Sequence, residues 1–277
     1  MWVGMKTPLH HVEWEHLSAT WALADAAEAI VSGWVFDHVV PVWGDAQGSC
    51  LESWSSLAAL AVQTRRLAIG CLCSPVAMRH PVLLAQMSAT VQQISGGRLS
   101  VGLGTGSKDW ELRGLGIWDE EPAVRCERLA EALILIRHAW QTKTHLLHTG
   151  DFYHCDLPSG MASTLGEIPP PRLVVGGRSN RILALASEHA DQWNFSRGTP
   201  GEFARAKARL LAYADSARRV EPLICSAHLV WEGFDPCQLA EDLTAWRDVG
   251  ADGVVVALPS PWPLDAVKML ARVASEL

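Results

Sequence analysis

No run of about eighteen consecutive apolar residues occurs in this chain of 277, so the sequence offers no membrane-spanning helix. The N-terminus, MWVGMKTPLHH, lacks a charged region followed by an apolar one. No secretory signal is therefore expected, and a cytoplasmic location is. Long basic runs are also missing, and 23 Lys and Arg stand against 30 Asp and Glu, which argues against a nucleic-acid partner. The seven cysteines form an odd set without a CxxC pair. They read as reduced, mostly buried thiols; Cys71 and Cys73, two apart on one apolar strand, are expected to point the same way rather than bridge. Neither HExxH nor a tetrahedral Cys/His spacing is found. The polar group His10, His11, Glu13, Glu15 and His16 accordingly reads as a solvated loop and helix start, and no metal site is expected.

What is present is a 49% apolar composition, enough for one large core in a single domain spanning 1–277. The most informative stretch is Arg65 to Gly106. Leu67 to Leu72 and Leu99 to Leu103 are apolar runs of strand length. Between them Leu84, Met87, Val91 and Ile94 recur at helical spacing behind Pro81, a favourable first-turn residue. This is a βαβ unit, which requires a parallel sheet. Ser95-Gly96-Gly97 ends the helix, and Gly102, Gly104 and Gly106 leave the second strand without side chains.

Further strands centre near Val3, Val35, Val174, Asn194, Ser226 and Val255, making eight with Ile69 and Val101. Amphipathic helices lie between most of them, marked by Leu129, Leu133, Ile136 and Trp140, by Leu239, Leu243 and Trp246, and by Leu264, Val267, Leu270 and Val273. Eight alternating units predict a (β/α)8 barrel with an excursion after the fourth strand. In that excursion THLLHTGDFYHC is expected to form a hairpin around Thr149-Gly150-Asp151. SGMASTLGEIPPP is expected to run as a loop over the barrel mouth. A doubly wound open sheet is the competing fold, but its Gly-rich turn belongs after the first strand and reads GxGxxG, whereas here GxGxG follows the fourth.

In a barrel the chemistry gathers after the C-terminal ends of the strands. That rule selects Thr7 to His11, Asp37 and His38, Leu72 to Ser74, Thr105 to Ser107, Gly176 to Asn180, Trp193 to Phe195, His228 to Trp231, and Leu258 to Ser260. Gly176-Gly177-Arg178-Ser179 enters a helix. It is either a tight connection or a phosphate site, in which free N–H groups and the positive helix end meet the anion while Arg178 and Ser179 add contacts. His38 is either a core-edge histidine or a polar group aimed at a ligand in the mouth, with Asp37 either orienting it, binding that ligand, or capping the next segment. Trp43, Trp193 and Trp231, with Trp54, are candidates for the walls of an apolar substrate pocket.

The run RHPVLLAQMSATVQQISGGRLSVGLGTG, followed by Leu115-Gly116-Ile117, resembles the signature of the bacterial luciferase-like family of flavin- or deazaflavin-dependent oxidoreductases. The likeness extends upstream to Ser32–His38 and GSCLESWSSLAALAVQTRRLAIG, and downstream to PPPRLVVGGRSNRILALASEHADQWNFS. It covers most of the chain. The upstream pieces, with a Trp-rich first helix (Trp14, Trp21), are most similar to the branch that uses the 5-deazaflavin coenzyme F420.

The resemblance implies a homodimer and a cofactor, F420 or alternatively flavin mononucleotide (FMN), contacted by Asp37, Leu72, Cys73, Thr105, Gly106, Ser107, Gly176, Gly177, Arg178 and Ser179. It implies a non-prolyl cis peptide at Leu72–Cys73 supporting the ring, and it puts His38 beside the ring carbon that carries the hydride. One departure is Ser107, where some deazaflavin dehydrogenases have a proton-donating Glu; a hydroxyl has no suitable pKa for that role. The implied activity is hydride transfer between F420 and a small organic substrate. The alternatives are a monooxygenase using reduced FMN and oxygen, and a barrel that binds a flavin or small ligand without catalysis.

Overall fold

The computed structural model describes residues 1–117 and 120–277. In chain order the strands are β1 (Trp2–Lys6), β2 (Ile30–Val35), β3 (Ala68–Pro75), β4 (Leu99–Gly104), β5 (Leu146–Thr149), β6 (His154–Leu157), β7 (Arg172–Gly176), β8 (Gln192–Phe195), β9 (Ile224–Val230) and β10 (Gly253–Ala257). All but β5 and β6 close into a parallel barrel in the order β1-β10-β9-β8-β7-β4-β3-β2. This is the (β/α)8 architecture, and each of the eight expected strand centres falls in or at the edge of a barrel strand.

The helices are α1 (Trp14–Ala26), α2 (Ser53–Gln63), α3 (Pro81–Ser95), α4 (Asp109–Gly114), α5 (Pro122–Gln141), α6 (Ala162–Leu165), α7 (Asn180–His189), α8 (Pro200–Ser216), α9 (Pro236–Asp248) and α10 (Asp265–Ser275). Local chemistry explains where they begin. The His80 ring accepts the Val82 N–H ahead of Pro81 to start α3, which ends at Gly96 with φ 64°. Thr199 and Glu202 form a reciprocal capping box on α8. Leu84 and Val91 bury the inner face of α3 as the spacing requires, but Ile94 is 43% exposed and lies outside that face.

Most of the buried apolar side chains lie between the barrel and its helices, where each fully buried Leu, Ile or Phe is worth roughly 1.5–3 kcal/mol. A second cluster, Trp34, Leu72, Val174 and Val255, fills the barrel interior. Its neighbours are polar. Ser226 Oγ accepts from Gln192 Nε2 at 2.8 Å and from Asn194 Nδ2 at 2.9 Å.

The segment from β4 to β7 departs from regular alternation, as expected. β5 and β6 pair antiparallel as the predicted hairpin. Glu131 of α5 holds its tip, accepting from the Phe152 and Tyr153 N–H groups at 2.9 and 2.8 Å and bonding His148. The tip reaches the mouth side, where the Tyr153 ring meets His80 edge-on. The loop SGMASTLGEIPPP runs the other way. Gln93 Nε2 binds the carbonyls of Thr164 and Leu165, and Gln92 Nε2 that of Pro169, so the loop lies at the C-terminal end of α3, below the barrel rather than over its mouth.

Candidate active site

His38 leaves the end of β2 and is bound by a residue far along the chain. Its Nδ1 lies 2.7 Å from Oε2 of Glu111, on α4, whose other oxygen accepts the Val39 N–H at 2.8 Å. Burial alone would raise the Glu111 carboxyl, but hydrogen bonds from His38 and from the Val39 and Val40 N–H groups hold it below its ordinary value. An ionised carboxylate only accepts, so Nδ1 carries the proton and Nε2 is the ring atom left to exchange one.

Asp37 does not orient His38. Both of its oxygens go to Arg79, at 2.5 and 3.1 Å, and the residue is 1% exposed, which leaves it no face for a cofactor tail. Arg79 also reaches Glu52 at 3.0 Å. Asp37 thus anchors the strand end, while the orienting carboxylate comes from α4.

Aromatic rings line the rim next to His38. Phe36 is 5.1 Å from both His10 and His38, and 5.8 Å from Trp43. Trp43 is 49% exposed, with Lys108 Nζ 5.5 Å from its ring centroid. His10 is buried with its Nδ1 unpartnered, and burial next to His11 and His38 lowers its pKa to about 4. The other two tryptophans do not wall a pocket. Trp193 is fully buried outside the barrel, stacked on Phe203, and donates to the Gly177 carbonyl at 2.7 Å. Trp231 is 2% exposed, packs on Phe234 and donates to the Asp235 carbonyl. Trp54 is likewise buried, its indole on Ser74 Oγ.

On β3, the strand next to β2, the Leu72–Cys73 peptide is cis, and the pairing of β3 with β4 shifts register between Cys71 and Ser74. The bulge undoes the expected alternation: Cys71 packs toward the helices, whereas Leu72 and Cys73 both join the interior cluster. Burial pushes the Cys73 thiol up to about 11, so it is neutral at physiological pH. Lys6, at the end of β1, donates to the Leu72 carbonyl at 2.7 Å. At the end of β7, a Cβ on Gly176 would stand 2.5 Å from Cys73 Sγ. After β4, Thr105 and Gly106 are half-buried and Ser107 is exposed.

The turn after β7 is shaped as an anion site in part. Ser179 caps α7, its hydroxyl accepting from Ile182 N and its carbonyl from Leu183 N, which leaves the first-turn N–H groups of Asn180 and Arg181 for an outside acceptor. The N–H of Gly177 does not face an anion, since it donates to the Asn194 carbonyl at 3.1 Å. Gly177 is needed for its backbone, with φ at 140° and Ile182 Cγ2 only 2.9 Å from where a Cβ would sit. A cavity of about 390 Å³ opens beside the turn, lined by Arg178, Ser179, Glu202, Arg205 and Arg209 among others. Among the described residues no group of three or more His, Cys, Asp or Glu side chains is placed to hold a metal ion.

The sequence profile of the luciferase-like monooxygenases matches residues 4–247. The chain belongs to this family. Over 175 residues, 61% of its length, it is 33% identical to the pyrimidine monooxygenase RutA of Cronobacter turicensis, and it spans less than half of that relative, 45%. Two luciferase-like folds superpose on nearly the whole chain. One is an F420-dependent secondary alcohol dehydrogenase in complex with an F420-acetone adduct, with TM-score 0.85, 16% identity, and 98% of this chain and 97% of that one covered. The other is the EDTA monooxygenase EmoA of Chelativorans sp. BNC1, with TM-score 0.80, 15% identity, and 100% and 93% covered. At such identities the likeness speaks for the fold alone.

Proposed function

We propose that this luciferase-like barrel is an oxidoreductase that binds coenzyme F420 and exchanges a hydride between it and a small organic substrate. The observation that carries this reading is the His38–Glu111 pair. Moving a hydride to or from a carbonyl carbon requires a proton to arrive at, or leave, the attached oxygen. An imidazole with Nδ1 tied to an ionised carboxylate, at the end of a barrel strand, offers Nε2 as one defined atom for that transfer. Glu111 fixes the tautomer. It supplies the carboxylate that Ser107 cannot.

The residues present fit such a cofactor. The unpartnered Nδ1 of buried His10 faces the aromatic rim, and the first turn of α7 leaves N–H groups free beside an arginine-lined cavity. The α7 turn with Arg178 and Ser179 would hold the phosphate, the Leu72–Cys73 bulge would back the ring, and Trp43 would orient the substrate and exclude water. When bound, F420 supplies a two-electron hydride donor or acceptor. We further propose that the protein works as a homodimer, which light scattering tests directly.

The match to pyrimidine monooxygenases favours a second reading, oxygen-dependent chemistry with reduced FMN. Fluorescence titration with both cofactors, coupled to oxygen-electrode measurements, separates the two. Micromolar or tighter F420 binding, weaker FMN binding and turnover without oxygen uptake support the first. Tight FMN binding with oxygen consumption and no F420 binding replaces it with the second.

A further inference from the structure

Two basic side chains, Lys6 and His228, lie on the floor of the mouth, and a third, Arg197, stands on the turn after β8. Lys6 ends β1, His228 lies on β9, and Arg197 follows β8. Strand register puts the first two inside the barrel: His228 pairs with Val255, a member of the interior cluster, and Lys6 pairs with Ala257, two residues further toward the mouth on the same face. The Lys6 ammonium spends one hydrogen bond on the Leu72 carbonyl and has two more to give. His228 Nε2 is out of solvent and has no hydrogen-bond partner. Arg197 is exposed and held in the left-handed region at φ 58°. Among the described residues, no Asp or Glu forms an ion pair with Lys6 or Arg197.

The mutual electrostatics agree with that geometry. Burial lowers the Lys6 ammonium from its ordinary value, with Arg197 adding to the effect and the nearby thiols opposing it. Burial, then Lys6, then Arg197, brings His228 down to about 3. The neutral thiol of Cys73 is no counter-ion. A buried ammonium with spare donors and an orphaned imidazole nitrogen are costly to keep unless something meets them, and the wall there supplies no anion: Gly4 and Val255 share the His228 layer, Ala257 and Trp34 flank Lys6, and the Phe36 ring lies 5.9 Å from Nζ. What all three groups can share is one negatively charged oxygen.

We propose that Lys6, His228 and Arg197 form an acceptor for an anionic oxygen, of carboxylate or ring-enolate type, on the ligand that occupies the barrel mouth. The proposal rests on the mouth being the ligand site, and it holds for either cofactor. The charge has two chemical sources, the pyrimidine edge of a reduced deazaflavin or flavin ring, and a carboxylate on the substrate.

Wild type, Lys6→Met and Arg197→Asn are titrated with oxidised and reduced F420 and FMN by fluorescence, and with benzoate by calorimetry, alone and in the cofactor-loaded protein. Circular dichroism checks that each variant is folded. Arg197→Asn sits on an exposed turn and tolerates the left-handed backbone, so it carries the test if Lys6→Met does not fold. Lys6→Met is expected to weaken one anion at least tenfold while oxidised-cofactor affinity stays within threefold, with a smaller loss of the same kind in Arg197→Asn. Loss confined to the reduced cofactor, with a lower midpoint potential for the bound couple, assigns the ring; loss confined to benzoate assigns the substrate. Folded variants that bind every probe like wild type overturn the proposal while leaving the cofactor reading intact. If wild type binds neither cofactor, that reading fails, and benzoate alone decides the anion site.

Discussion

His38 and Glu111 are joined at 2.7 Å by a hydrogen bond that ties the end of β2 to the short helix α4. Removing either side should be felt in proton transfer more than in binding. His38→Ala is expected to lower kcat by about two orders of magnitude, and Glu111→Gln by about ten- to a hundredfold, with cofactor affinity changed less than threefold in both. Ser107→Ala should be mild. Single-turnover kinetics reads all three, and full activity in His38→Ala ends its catalytic assignment.

The α7 turn makes a prediction that separates anion binding from backbone geometry. Ser179→Asp keeps a good helix cap but adds a negative charge at the first turn, so affinity for F420 or FMN should fall at least tenfold. Riboflavin, which has no phosphate, should bind the variant as it binds wild type. Gly177→Ala should instead cost stability, on the order of 1–3 kcal/mol, because φ at 140° is unfavourable for any L side chain. An unchanged FMN and F420 affinity in Ser179→Asp would move the phosphate elsewhere.

Two tryptophans should behave in opposite ways. Trp193→Ala opens a hole beside Phe195 and Phe203 and should lose about 3–5 kcal/mol in urea denaturation while the surviving folded enzyme keeps its KM. Trp43→Ala should raise KM severalfold with the thermal midpoint nearly unchanged. A pocket role for Trp193 would reverse that pattern.

His10 gives the acid limb of stability a defined origin. Its folded pKa of about 4 lies below the ordinary 6.5, so between those values the unfolded chain takes up a proton that the folded protein refuses. The stability contributed by the neutral ring is complete above pH 6.5 and drains away as pH falls toward 4. Urea midpoints of His10→Asn should therefore decline less than those of wild type across that interval. Parallel curves would locate the acid sensitivity in other groups.

The strand order of residues in the sequence was enough to find the barrel because buried parallel strands are short, Val-rich and evenly spaced, as in GVVVA and RLVVG. The site was only partly legible. Strand ends mark which residues are near the mouth, but inside or outside depends on parity, and Asn194 faces the interior where Trp193 cannot. Lys6 carried a usable signal, a charge closing an apolar strand. Glu111 carried none, since nothing local links it to a histidine on another unit, and Asp37, adjacent in sequence, is turned toward Arg79.

The hairpin of β5 and β6 has a consequence for how this protein can be altered. Its strands take no part in the barrel's hydrogen bonding, and its tip is held by Glu131, by the buried Tyr153 ring and by Arg128 stacked over Phe152 and Tyr153. Residues 149 and 151 can therefore be exchanged without disturbing barrel closure, provided Gly150 stays, Glu131 still finds two backbone N–H groups and Tyr153 keeps its place. One edge of the entrance is in effect a replaceable part, and a change there alters the rim while the His38–Glu111 hydrogen bond stays untouched.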